Sequence, residues 1–111
     1  MKIYTFLQQN DGKPNRNSLE ALAAAQQLAE QTGGSGSAIV FGTDIETFTK
    51  YDLAEIIQVQ NNQLENFNPL AYVSAFENLI NAESPDLVLF GHTYETRDWV
   101  PRLSARLDIP F

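Results

Sequence analysis

Asp86-Leu87-Val88-Leu89-Phe90-Gly91 is the stretch whose reading decides the fold. Its four consecutive apolar residues are too few for a helix. They are too uniform for a strand with one solvated face, so they read as a strand buried on both faces of a sheet. The strand empties into a polar run, His92-Thr93-Tyr94-Glu95-Thr96-Arg97-Asp98. The helix after that run carries Val100, Leu103 and Leu107 on one stripe, and Pro101 fits only a first helical turn, so the regular helix is expected to begin near Asp98 or to bend there.

Upstream, the same alternation of strand and helix repeats. Lys2 to Leu7 (KIYTFL) is rich in β-branched and aromatic residues and stops at the polar turn cluster Gln8-Gln9-Asn10-Asp11-Gly12. Asn17-Ser18 offers an N-cap to a helix whose stripe is Leu19, Leu22, Ala23, Ala25, Leu28 and Ala29, ending at Thr32-Gly33-Gly34. Ser37 to Phe41 is a second buried strand and Glu55 to Gln60 a third, with a short helix possible over Asp44 to Asp52. Pro69 occupies a first helical position ahead of Leu70, Val73, Phe76 and Ile80, and Ser84-Pro85 closes that helix after Glu83.

Four short strands separated by helices specify an α/β domain with a mostly parallel sheet, because parallel neighbours need right-handed crossovers. The expected strand order is 3-2-1-4. Ile109-Pro110-Phe111 resembles the entrance to a further strand, missing here, so the chain is expected to be a truncated single domain over residues 1–111. Gly33-Gly34-Ser35-Gly36-Ser37 is linker-like but too short to separate domains.

Length and composition agree with one domain: 111 residues, of which 43% are hydrophobic and 11% aromatic, sustain one core. Fourteen acidic against seven basic residues give a net charge of -7, which disfavours nucleic acid and anionic lipid surfaces. The absence of cysteine excludes disulfides, thiolate metal sites and thiol catalysis. No apolar run is long enough for a membrane helix and no leader pattern opens the sequence, so a soluble cytoplasmic protein without direct membrane insertion is expected.

In an open parallel sheet, ligands gather beyond the carboxyl ends of the strands where chain order reverses. For the order 3-2-1-4, that point lies between strands one and four. It receives Gln8 to Gly12 and Gly91 to Asp98, and the candidate interface or ligand rim is Asp11, Gly91, His92, Thr93, Thr96, Arg97 and Arg102. The plain alternative is a solvated loop with helix caps. Gly33 and Gly34 follow a helix and precede a strand, the reverse of a phosphate-cradling loop, so a C-cap explains them better. The same glycines fail as a nucleophile elbow. His92 is the single histidine, which excludes a multi-histidine metal site, and Glu95 and Asp98 read as ion-paired or solvated. Arg97, Arg102 and Arg106 make one end of an acidic chain locally basic, with Arg106 placed to favour a helix C-terminus and Trp99 able to anchor a contact or cap the core.

The run from Gly91 to Ile109 resembles the segment G-x-T-x-x-G-[KR]-[DE]-x-x-P-R-x-A-x-x-L-x-[VI] in the N-terminal domain of the electron transfer flavoprotein alpha subunit. Asp11-Gly12, followed by Leu19-Glu20-Ala21-Leu22-Ala23-Ala24-Ala25-Gln26-Gln27-Leu28, is similar to that family's opening, so the likeness covers nearly the whole chain. Thr96 stands where the family usually has glycine, a substitution that costs energy if the backbone there needs positive φ or close approach. The resemblance implies a Rossmann-like, three-layer α/β/α domain of the adenine nucleotide alpha hydrolase-like kind. It implies a heterodimeric electron carrier taking electrons from dehydrogenases, as in fatty acid β-oxidation, to a quinone reductase or another acceptor. FAD would be held mainly by the C-terminal domain of the parent chain, with no cofactor and no catalytic residue in this segment. The partners so implied are the beta subunit and that C-terminal FAD domain.

Two other classes compete. A stand-alone adenine-nucleotide-binding module of universal-stress-protein type would use the polar rim, although neither an S-G-G-x-D-S loop nor a glycine-rich phosphate loop is present. A small hydrolase would rely on His92 alone.

Overall fold

The computed structural model describes residues 2–10, 13–41, 55–59 and 68–108. Strand β1 (Lys2–Leu7) is followed by two two-residue strands, β2 (Gln9–Asn10) and β3 (Lys13–Pro14), which pair antiparallel. Then come α1 (Arg16–Thr32), β4 (Ser35–Phe41), β5 (Ile56–Val59), α2 (Pro69–Glu83), β6 (Leu87–Phe90) and α3 (Tyr94–Leu107). The small β2–β3 pair lies where the sequence suggested only a turn cluster. Asp11, Gly12, the segment 42–54 and the last three residues lie outside the described residues, and with them the possible helix over Asp44 to Asp52 and the strand entrance at Ile109.

Among the described residues, four strands build one all-parallel sheet in the order β5-β4-β1-β6. Counting these four in chain order gives 3-2-1-4, the expected order. β1 is central, with Phe6 opposite Ile39 on one side and Phe90 on the other. Its side chains alternate between two cores. Ile3 and Leu7 pack with Leu22, Ala25, Ala29, Ala38 and Val40 beneath α1. Tyr4 and Phe6 pack with Ile39, Phe41, Tyr72, Phe76, Trp99 and Leu103 beneath α2 and α3. That second core is largely aromatic: Phe6 meets Phe41 at 5.0 Å, Trp99 at 5.4 Å and Phe76 at 5.5 Å between ring centroids, mostly edge to face. The three layers α/β/α follow.

Helix ends obey local chemistry. Asn15, not Asn17 or Ser18, caps α1, because its side chain accepts from the backbone N–H groups of Asn17 (2.9 Å) and Ser18 (3.3 Å). Ser18 is instead buried and accepts the Gln8 N–H at 3.0 Å. Gly33 closes α1 at φ 68°, a left-handed conformation that glycine adopts without strain. Ser35 to Ser37, read as linker-like, belong to β4. α2 runs from Pro69 to Glu83 as its pattern indicated, capped by Asn68. β6 is half-buried at each residue, since only β1 flanks it among the described strands.

The start of α3 differs from the sequence reading. The helix begins at Tyr94, and Pro101 sits within it rather than in its first turn. A reciprocal cap fixes the earlier start: Thr93 Oγ accepts from the Thr96 N–H at 3.0 Å while Thr96 Oγ accepts from the Thr93 N–H at 2.9 Å. Pro101 then forfeits one hydrogen bond of the helix, and the buried Trp99 and Leu103 on either side hold the helix against the sheet. Thr96, standing where glycine was expected, meets no backbone obstacle. The positive-φ residues among those described are Gly33, Ser84 and Asp108.

Candidate functional site

A polar cleft of about 430 Å³ opens where the carboxyl ends of β1 and β6 meet the first turns of α1 and α3. Gln8 leaves β1 and is only 6% exposed. Its backbone clamps α1, the N–H donating to Ser18 and the carbonyl accepting from the Asn15 N–H at 2.8 Å. Its side chain clamps α3. The amide N–H donates to Glu95 Oε2, and Oε1 accepts from the Thr93 hydroxyl at 2.7 Å. Beneath it, the Thr96 hydroxyl donates to the Gly91 carbonyl at 2.8 Å, and Asn17 Nδ2 donates to the His92 carbonyl at 2.6 Å.

Gly91 packs directly on the first turn of α1. A Cβ built there would lie 2.6 Å from backbone atoms of Asn17 and Ser18, so the first turn of α1 already occupies the space under the switch point. The position tolerates no side chain, a close-approach role that its sequence neighbours conceal.

The electrostatics are quiet but not neutral. Burial pushes the Glu95 carboxyl above the ordinary carboxylate range. The Tyr72 phenol is pushed up first by burial and then by the charge of Glu95. Glu95, read from sequence as ion-paired or solvated, is instead held by the Gln8 amide, whereas Asp98 is ion-paired with Arg102 at 3.3 Å. Arg106 bridges to Glu77 of α2 at 3.4 Å.

Of the candidate rim, His92, Thr93 and Arg97 line the cleft. Gly91 and Thr96 are buried just below it, and Arg102 lines neither this cleft nor its neighbour. Asp11 lies outside the described residues. Asn15, Asn17, Tyr94 and Glu95 also line the cleft without having been on that list. For the asparagines, the signal was the N-x-N-S spacing of a capped helix start. On the far side of His92 and Arg97, an apolar groove of about 340 Å³ runs along the outer edge of β6 beside Val100 and Pro101.

Chemically, the arrangement holds elements together and presents a surface. Among the described residues, no three histidine or acidic side chains gather as a metal site. The hydroxyls of Thr93 and Thr96 are committed to caps and to Gln8 and Gly91, so neither is an activated nucleophile beside a base.

The electron transfer flavoprotein domain model matches residues 3–111, practically the whole chain. The chain belongs to the electron transfer flavoprotein domain family. It is 31% identical over 110 residues to the electron transfer flavoprotein subunit alpha of Syntrophomonas wolfei, covering 96% of this chain and 33% of that protein. To the corresponding subunit of Thermoanaerobacterium thermosaccharolyticum, it is 33% identical over 110 residues, with 95% and 33% covered. A third relative, the acryloyl-CoA reductase electron transfer subunit beta of Anaerotignum propionicum, is 28% identical over 109 residues, with 95% and 30% covered. The chain therefore spans about a third of the length of these relatives. The resemblance read from Gly91 to Ile109 identified the right family, and the parallel three-layer fold agrees with it. Among the described residues, no helix is long and apolar enough to cross a membrane.

Proposed function

We propose that residues 1–111 form the N-terminal scaffold domain of an electron transfer flavoprotein alpha subunit, docking a beta subunit and supporting a flavin domain elsewhere in the parent chain. The parent carries electrons from dehydrogenases to a quinone reductase or another acceptor in the cytoplasm, with FAD held mainly by its C-terminal domain. This segment supplies shape, not redox chemistry. The docking rim consists of His92, Thr93 and Arg97, shaped from below by Gly91 and Thr96.

The observation that carries this reading is the floor of the cleft. The described residues do not fit a flavin: the space under Gly91 is filled by backbone of α1, and Gln8, Thr93 and Glu95 spend their hydrogen bonds on one another. The Glu95 carboxylate in the cleft lining weighs against a nucleotide module, because it would repel phosphates placed there. A catalytic role for His92 has no base, acid or nucleophile partner among the described residues to support it.

The test is the visible absorbance of the purified 111-residue chain, beside that of the full-length parent with its beta subunit. The chain alone is expected to be colourless and the complex yellow. A flavin band retained by the chain alone, in proportion to protein, contradicts the proposal.

A further inference from the structure

Two exposed side chains on the ridge above the cleft take no part in the network beneath it. Tyr94, the first residue of α3, is 88% exposed, and Arg97 follows three positions later on the same helical face. Arg97 also separates the cleft from the groove along β6, lining both.

Charge singles out Arg97. Arg16, Arg102 and Arg106 each have a carboxylate within 3.3 to 3.6 Å, on Glu20, Asp98 and Glu77. Arg97 has none among the described residues, in a chain whose acidic residues outnumber its basic ones fourteen to seven. Its two nearest acidic neighbours in sequence are engaged elsewhere, Glu95 by Gln8 and Asp98 by Arg102. An exposed guanidinium thus stands ready for a carboxylate from outside, beside an exposed phenol ring. Tyrosine and arginine are the residue types that most often carry binding energy at protein interfaces, the ring because it covers area at low entropic cost and the guanidinium because it grips carboxylates bidentately.

We infer that Tyr94 and Arg97 anchor the subunit interface, and that the beta subunit presents an aspartate or glutamate on the contacting segment. The inference rests on the reading of this chain as part of an alpha subunit. It adds which residues bind and which chemistry they meet. The guanidinium takes the carboxylate, and the Tyr94 ring excludes water from the pair, raising its worth above that of a solvated ion pair.

The test measures affinity between the full-length alpha subunit and its beta subunit at two salt concentrations. The variants are Tyr94→Ala, Arg97→Glu and Arg97→Lys, with Arg106→Ala at the opposite end of α3 as control. Tyr94→Ala and Arg97→Glu are expected to weaken binding by about thirtyfold. Arg97→Lys is expected to fall between Arg97→Glu and wild type, and Arg106→Ala to stay within about twofold. Arg97→Glu is also expected to lose part of the salt dependence. Wild-type affinity in both Tyr94→Ala and Arg97→Glu overturns the inference and leaves the scaffold reading standing. Absence of binding by the wild-type pair overturns that reading itself. Calorimetric binding of inorganic phosphate that is abolished by Arg97→Glu, with subunit affinity unchanged, also overturns the inference, because the guanidinium would then serve a small anion.

Discussion

Gly91 joins a buried strand to a rim loop, and the backbone of α1 lies where its side chain would be. Gly91→Ala must therefore shift α1 or β6. The expected cost is about 1–3 kcal/mol, the range for overpacking a tight contact. Urea unfolding followed by the fluorescence of Trp99, the single tryptophan and a buried one, measures it; an unchanged midpoint would show that the contact is slack. Glu95 makes a second residue-scale prediction. Its carboxyl is raised by burial, so across the window upward from about pH 4.3 the folded state binds more protons than the unfolded chain. The Glu95 contribution to stability consequently falls as pH rises through that window and is most favourable below it. Glu95→Gln removes this slope while leaving a carbonyl that can accept from Gln8. The difference between wild type and variant in unfolding midpoint is expected to grow from acid to neutral pH, and parallel profiles would contradict the assignment.

At the scale of the element, the start of α3 depends on four side chains acting together: Gln8, Thr93, Glu95 and Thr96. Thr93→Ala removes the cap of α3 and the donor to Gln8 Oε1, at an expected cost of about 1–2 kcal/mol. Thr93→Ser, which keeps the hydroxyl, is expected to recover most of it, and thermal melts of the two variants decide the matter. This cap also shows where sequence reading fell short. Pro101 argued for a late helix start because proline is tolerated in a first turn, whereas the reciprocal bonds of Thr93 and Thr96 start the helix seven residues before it. A threonine at the third helical position does not announce itself as the glutamate or glutamine of the usual capping pattern does. α2, by contrast, was legible end to end, since Pro69 and Ser84-Pro85 punctuate a regular apolar stripe. Asn15 was hidden by the equally suitable Asn17 and Ser18 nearby.

At the scale of the whole molecule, topology was readable because chain physics leaves few choices. Strand-like runs separated by long connections imply parallel neighbours, and the sheet has β1 and β4 inside and β5 and β6 outside among the described strands. The candidate site was readable only in part, because its location follows from topology but its chemistry depends on contacts between segments far apart in sequence. Gln8 reaching Glu95 and Gly91 meeting Asn17 are such contacts. They brace the floor of the cleft beneath an exposed ridge. The apolar stretch Leu87–Phe90, read as buried on both faces, is half-exposed because, among the described strands, β6 is flanked by β1 alone and borders the second groove. The family match agrees with the fold, and this face is, in our proposal, the place where another polypeptide sits.

Amide hydrogen exchange of the full-length alpha subunit, with and without its beta subunit, tests that claim most directly. The account predicts that complex formation slows exchange in the first turn of α3, at Tyr94 and Glu95, whose N–H groups begin the helix without intrahelical partners. Unchanged exchange over residues 91–97, with protection confined to the opposite end of the sheet around Lys2 and Asp86, would contradict it.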